Sequence, residues 1–260
     1  EIGHKTSRFE KRLAQIVLAV PAYGHFSAEH NRGHHKDVAT PDDPASSRMG
    51  ENIYGFACRE IPGAIRRAWA SEKTRLARSN KGPWTLHNEV LQPLLITVPL
   101  YVGLTVAFGW LMLPFLAIQM AWGWFGVLTS ANYIEHYGLL RQKRDNGRYE
   151  PCQPYHSWNS NHVMSNLILF NLQRHSDHHA NPTRRYQSLR NFEGLPEYPS
   201  GYPLMFLIAL FPPIWFAVMN PKVVAWAEGR FDLINIRPGY RERLEARWGK
   251  RSGGSAAAGA

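Results

Sequence analysis

The sequence predicts an all-α fold: a polytopic membrane helical bundle with a histidine-rich metal site on its cytoplasmic side. Three observations predict it. Between Glu89 and Glu135 lie 45 residues without one Asp, Glu, Lys or Arg, about twice the ~20 apolar residues that one membrane-crossing helix needs. Eight of the twelve histidines sit in four short segments, spaced as on a helix rather than a strand. The charged residues, 30 Lys plus Arg against 20 Asp plus Glu for a net charge of +10, are bunched outside the apolar runs.

Taken in order, the chain opens with Glu1-Ile2-Gly3-His4-Lys5, which reads as a helical H-E-x-x-H pattern without its leading His. A fragment with its N-terminal part removed is the expectation. Basic Arg8, Lys11 and Arg12 precede an apolar run from Leu13 to Val20 that Pro21 and Gly24 interrupt. That run is too short to cross a bilayer and predicts a buried or interfacial helix. Residues 37–52 have loop composition. Residues 53–81 read as a polar helix carrying Arg59, Arg66, Arg67, Lys73, Arg75 and Arg78, either a solvated face or a docking surface.

The uncharged stretch predicts a transmembrane hairpin of about 90–111 and 114–135, turning near Trp110 to Pro114. Arg75, Arg78 and Lys81 flank one end and Arg141, Lys143 and Arg144 the other, so the positive-inside rule puts both ends in the cytoplasm. Residues 141–160 read as loop, and Asn161 to Ala180 as a helix. The 24 uncharged residues between Glu197 and Lys222 are broken by Pro212-Pro213, which predicts a re-entrant or interfacial helical pair as readily as a third crossing. The tail, 252–260, reads as flexible Gly/Ser/Ala linker.

On a helix, His175, His178 and His179 share a face at i, i+3 and i+4, and His30 and His34 share one at i, i+4 with His35 a step around it. Imidazole ligates as a neutral base and so is buried more cheaply than a carboxylate. One zinc site needs four ligands, so this many imidazoles in four segments point to two ions. Zinc, iron, copper and nickel all accept nitrogen ligands, and iron is the favoured one for oxygen activation. Glu1, Glu29, Glu135 and Asp177 are candidates to moderate the charge from outside the ligand set. His25, His87, His156 and His162 read as lone structural or surface groups. Cys58 and Cys152 form no C-x-x-C, which excludes zinc ribbons and iron–sulfur sites. No nucleic-acid recognition motif accompanies the basic charge.

The segments E-I-G-H-K, E-H-N-R-G-H-H, N-Y-I-E-H-Y-G-L and L-Q-R-H-S-D-H-H, in this order and spacing, resemble the histidine boxes of the membrane alkane monooxygenases. These belong to the histidine-rich membrane di-iron class that includes the fatty-acid desaturases. The resemblance covers nearly the whole chain, and N-Y-I-E-H-Y-G-L with N-H-x-x-S-N-x-x-x-F-N favours the alkane branch. It implies two non-haem Fe ions, terminal hydroxylation of a medium- to long-chain alkane by O2, and electrons from rubredoxin, itself reduced by a rubredoxin reductase. It implies His4, His30, His34, His35, His136, His175, His178 and His179 as metal ligands. Residues 1–251 would then be the C-terminal part of a membrane di-iron hydroxylase domain in the inner (plasma) membrane. The family's first box begins H-E-x-x-H-K, so one expected ligand and the earlier transmembrane helices are absent from this sequence.

The sequence has no G-x-G-x-x-G dinucleotide fingerprint. A reductive O2 enzyme built this way draws electrons from another protein, and a basic surface suits an acidic donor. The competing expectations are a fatty-acyl desaturase or lipid hydroxylase on the same metal centre, and a non-enzymatic metal-binding membrane protein. A transporter should carry ionisable groups inside its spans, and the 45-residue stretch carries none.

Overall fold

The computed structural model describes residues 2–4 and 7–249; Glu1 and the 252–260 tail lie outside the described residues. Among the described residues the regular structure is helical, with isolated β-bridges and no strand. The chain divides into two compact units. One comprises the described residues up to Asp37 together with Ala57–Thr129; the other comprises Val38–Phe56 and the described residues from Ser130 onward.

In the first unit, Arg8–Ala19 is a helix whose Phe9, Ile16 and Val17 are exposed while Ala14 and Ala19 are buried. Side chains from other helices bond to the carbonyls at and just beyond its C-terminal end. Thr97 donates to the Ala19 carbonyl at 2.7 Å, Tyr101 to Val20 at 2.9 Å and Trp124 to Pro21 at 2.8 Å. Gly123 is needed at this junction, because a Cβ there would come 2.7 Å from Pro21 Cβ.

Two apolar helices of unequal length lie where the transmembrane hairpin was expected. The first is Leu94–Phe108, 15 residues, or roughly 22 Å at 1.5 Å per residue. It starts later than composition suggested because residues 88–93 are turns, tied by Asn88 to the Val90 amide at 2.9 Å and the Pro83 carbonyl at 2.8 Å. Gly109 stops it at φ 84°, a left-handed conformation that glycine adopts without strain. The second, Met112–Glu135, has 24 residues and is the one described helix long and apolar enough to cross a membrane. Only 11% of its most apolar window is buried. Val98, Val102, Val106, Phe115, Ile118 and Trp122 are all exposed, which is the reverse of a soluble core helix.

The Ile53–Ala77 helix begins on Asn52, whose side chain caps the Gly55 amide at 2.8 Å,. From Ala57 it belongs to the first unit, where its charged residues are divided. Glu72, fully buried, holds Arg32 at 2.6 Å, Arg75 at 2.7 Å and the Glu89 amide at 2.7 Å. Arg67 holds Glu29 and Asp37. Arg66, Lys73, Arg78 and Lys81 remain exposed.

In the second unit, Tyr133 and Tyr137 pack on Trp215 with ring centroids 5.1 and 5.3 Å apart, all three fully buried. The Glu197–Lys222 stretch contains two helices, Tyr202–Ala209 and Pro212–Trp226. The proline pair starts the second of them, where a missing N–H costs nothing. The continuous helix expected over 161–180 is corrected to Val163–Ile168 and His175–Ala180. Phe170 and Asn171, at φ 51° and 58°, reverse the chain between them. Gln173, fully buried, fixes that reversal by donating to the His162 carbonyl at 2.9 Å.

Candidate metal centre

In the first unit the second histidine box is not a plain α-helix. Phe26–Glu29 is α-helical, His30–His34 forms a π turn, and His35–Asp37 returns to α. The extra residue in that turn changes which histidines meet. His30 and His34 were expected on one face at i, i+4. Instead the Nε2 atoms of His30 and His35 lie 3.2 Å apart, as i, i+5 pairing in a π turn requires. His4 joins them with ring centroids 5.0 and 4.6 Å from His30 and His35. These three histidines offer nitrogens within 4.8 Å of one another.

Two details prepare this trio. Asn31 accepts from His4 Nδ1 at 2.6 Å, and its amide nitrogen is tied to the Ser27 carbonyl at 2.8 Å. That bond puts the proton on Nδ1 and makes Nε2 the ligating atom of the ring. Gly33 lets the Arg67 guanidinium lie on the turn, since a Cβ there would come 2.5 Å from Arg67 Nε. Arg67 in turn pairs with buried Glu29. His34, buried, stands outside the trio with its ring centroid 5.2 Å from that of His30.

The second unit holds another trio. His136, at the end of the long apolar helix, has its ring 5.3 Å from His175 and 4.9 Å from His179. His175 and His179 bring their Nε2 atoms to 2.9 Å, and all three residues are buried. His136 Nδ1 donates to the His156 carbonyl at 3.1 Å, which again leaves Nε2 as the ligating atom. Glu135 was expected outside the ligand set, but Glu135 Oε2 lies 3.1 Å from His175 Nε2. Its carboxylate therefore brings negative charge to the trio itself. His178, half-buried, is 5.4 Å from His175 by ring centroid and is not one of this trio.

Asp177 points elsewhere. It accepts from Arg190 at 2.9 Å, from the Arg190 amide at 2.9 Å and from Asn181 at 2.9 Å. Burial alone would raise its carboxyl, but these bonds and the Arg190 charge hold it below the usual range. Asp177, a candidate to moderate the metal charge, is thus paired with arginines instead. Glu1 lies outside the described residues.

Of the lone histidines, His25 is buried beside Tyr23 and Trp124, and burial lowers it to about 4. His156 is buried and also lowered to about 4, chiefly by burial. It accepts the Gln153 amide on Nδ1 at 2.9 Å and faces Glu150 through Nε2 at 3.2 Å. His87 and His162 are exposed. The Cys152 thiol is pushed up to about 11, mainly by burial, so it supplies no thiolate.

Converging imidazole nitrogens suit a cation. Two nitrogens each about 2.0–2.1 Å from one ion are roughly 3 Å apart at ordinary ligand angles. The 2.9 and 3.2 Å separations match that spacing. An all-imidazole set with one carboxylate and no thiolate fits iron as well as it fits zinc.

A helical protein with one half-buried and one fully buried histidine trio, and one described helix long and apolar enough to cross a membrane, has the features of a membrane-type protein whose histidines could hold metal. Residues 1–219 match the family model described as fatty acid desaturase, and the chain belongs to that family. It is 62% identical over 249 residues to alkane 1-monooxygenase 1 of Alcanivorax borkumensis, covering 96% of this chain and 61% of the relative. It is 60% identical over 254 residues to alkane 1-monooxygenase of Ectopseudomonas oleovorans, covering 98% and 63%. It is 28% identical over 245 residues to the hydroxylase component of the Pseudomonas putida xylene/toluene monooxygenase, covering 93% and 63%. The chain thus spans about three fifths of the length of these relatives.

Residues that sequence reasoning missed are Asn31, which lies inside the second box, and the carbonyl of His156. The Asn beside a histidine run was a usable signal; a backbone carbonyl leaves none.

Proposed function

We propose that the protein containing this chain hydroxylates the terminal methyl of medium- to long-chain alkanes to 1-alkanols at two non-haem irons. The observation that carries the reading is the pair of converging histidine trios in a chain about 60% identical to alkane 1-monooxygenases. His4, His30 and His35 would form the core of one ligand set and His136, His175 and His179 the core of the other. His34 and His178 would supply further nitrogens, and Glu135 counter-charge. Iron, when bound, supplies the reductive activation of O2. The overall balance is RH + O2 + 2 e⁻ + 2 H⁺ → ROH + H2O.

What the chain's own residues contribute follows from their bonds. Asn31 and the His156 carbonyl hold protons on the Nδ1 atoms of His4 and His136, so each ring presents a fixed face. The exposed apolar side chains of the Leu94–Phe108 and Met112–Glu135 helices would face lipid, where an alkane partitions. The protein would be a multi-pass inner-membrane enzyme with the histidines at the cytoplasmic side. The test is product analysis on the intact protein with alkane, O2 and reductant. A 1-alkanol is expected; an unsaturated or internally hydroxylated acyl chain would instead support the desaturase reading.

The electron donor in this reading is rubredoxin, kept reduced by a rubredoxin reductase. Arg67, Arg75 and the buried Arg141 are bound internally, Arg141 to the Glu150 carbonyl at 2.7 Å, so they are poor docking groups. Arg66, Lys73, Arg78, Lys81, Lys143, Arg144 and Arg148 are exposed. Reversing two charges among Arg66, Lys73 and Arg78 should raise the apparent KM for the donor about 5–10-fold and flatten its salt dependence. Unchanged donor kinetics would remove this face from consideration.

A further inference from the structure

The two histidine boxes of the second unit are joined by a segment that belongs to neither of them, 153–159. It runs along the third box and bonds to three consecutive residues there. The Trp158 amide donates to the Glu135 carbonyl at 2.8 Å, His136 Nδ1 donates to the His156 carbonyl at 3.1 Å, and Trp158 Nε1 donates to the Tyr137 carbonyl at 2.9 Å. Trp158 is buried and stacks on Tyr198, so the rail itself is rigid.

The next residue, Asn159, turns to the fourth box. Its Oδ1 accepts the Ser176 amide at 3.0 Å, and its Nδ2 donates to Ser176 Oγ at 2.5 Å. Ser176 Oγ also donates to the Pro154 carbonyl. Asn159 is itself held by its backbone, which accepts the Tyr198 amide at 2.9 Å and donates to the Pro196 carbonyl at 2.8 Å. Ser176 is the second residue of the His175–Ala180 helix, and amides of a first helical turn have no partner within the helix. Arg174, at the N-cap position, makes no side-chain cap. A six-residue helix is too short to hold itself together, so its orientation depends on what grips it from outside.

The geometry points to Asn159 as a positioning residue for the metal centre: it caps the His175–Ala180 helix from a distant segment and locks His175 and His179 in register with His136. The inference rests on the proposed metal-ligand role of those histidines. Cap and rail together act as one template, because the same stretch of chain sets the His136 ring and the turn that carries its two partners.

The experiment is iron content and the Mössbauer spectrum of the intact, iron-loaded membrane protein in detergent. Asn159→Leu keeps the size but removes both bonds to Ser176, along with those to the Ser157 and Pro196 carbonyls, and it should lower iron affinity about 10–100-fold while helicity and monodispersity are retained. Asn159→Asp keeps an acceptor for the Ser176 amide at a helix N-terminus, where negative charge is favourable, and should restore most of the iron and a near-native spectrum. Ser176→Ala removes the hydroxyl but not the capped amide and should have the smaller effect. Full iron with an unchanged spectrum in Asn159→Leu overturns the inference, as does Asn159→Asp behaving no better than Leu. His179→Ala, run beside them, separates the two levels: if that variant also keeps its iron, the ligand assignment fails, not the positioning role alone.

Discussion

Replacing His179 by alanine in the intact protein should remove roughly half or more of the bound iron and lower alkane turnover by at least about 100-fold. His179 Nε2 lies 2.9 Å from His175 Nε2, and its ring is 4.9 Å from that of His136. Alanine removes one of the three imidazoles of the buried trio. Losing a group that merely orients a ligand already costs about 10–100-fold in affinity or activity, so losing the ligand itself costs at least that. Neither Cys152, whose thiol burial pushes up, nor Asp177, held by Arg190, is placed to replace it. The measurement is iron per chain together with 1-alkanol formation, with exposed His87→Ala as the control. A His179→Ala variant with its full iron and turnover would contradict the assignment.

Replacing Glu72 by leucine should destabilise the protein by about 2–3 kcal/mol. Breaking one side of a buried ion pair costs about 3–5 kcal/mol. Here Arg32 and Arg75 are 33% and 39% exposed and can turn to water, which lowers the figure. The consequence reaches the site because Arg32 lies inside the His30–His34 turn. Loss of its anchor should loosen that turn and reduce iron binding along with thermal stability.

The same group predicts a pH effect. Burial alone would raise the Glu72 carboxyl, but hydrogen bonds from Arg75 and the Glu89 amide and the charges of Arg32 and Arg75 outweigh it and hold it below its ordinary value of 4.5. A carboxyl lowered by folding contributes stability that is complete above its unfolded pKa and is lost as pH falls through the folded one. Wild-type protein should therefore lose stability below about pH 4.5, and Glu72→Leu should lose less over that range, as read by thermal unfolding in detergent. Parallel acid profiles for the two proteins would exclude the linkage.

Much of the molecule follows from local pattern. The hairpin is legible because a run without charge has few fates, and its length alone argues for helices that face lipid. The fourth box reads correctly in one respect, since His175 and His179 at i, i+4 meet as helical geometry demands. Local pattern misleads where one residue changes the period. In the second box a π turn pairs His30 with His35, and no propensity scale marks that turn. The break at Phe170–Asn171 is equally silent, because its cause is buried Gln173 gripping the His162 carbonyl.

By itself, then, the sequence determined which residue types are on hand to ligate, imidazoles in four short segments and no paired cysteines, and where the long uncharged run lies. These depend on residue type and short-range spacing. Tertiary structure alone decided which nitrogens converge and which atom of each ring is left to ligate. It also turned Asp177, and Arg67 and Arg75 of the basic helix, to internal ion pairs. Such choices are made by hydrogen bonds between segments far apart in the chain, from Asn31 to His4, from His136 to the His156 carbonyl and from Asn159 to Ser176, and spacing along one segment does not encode them.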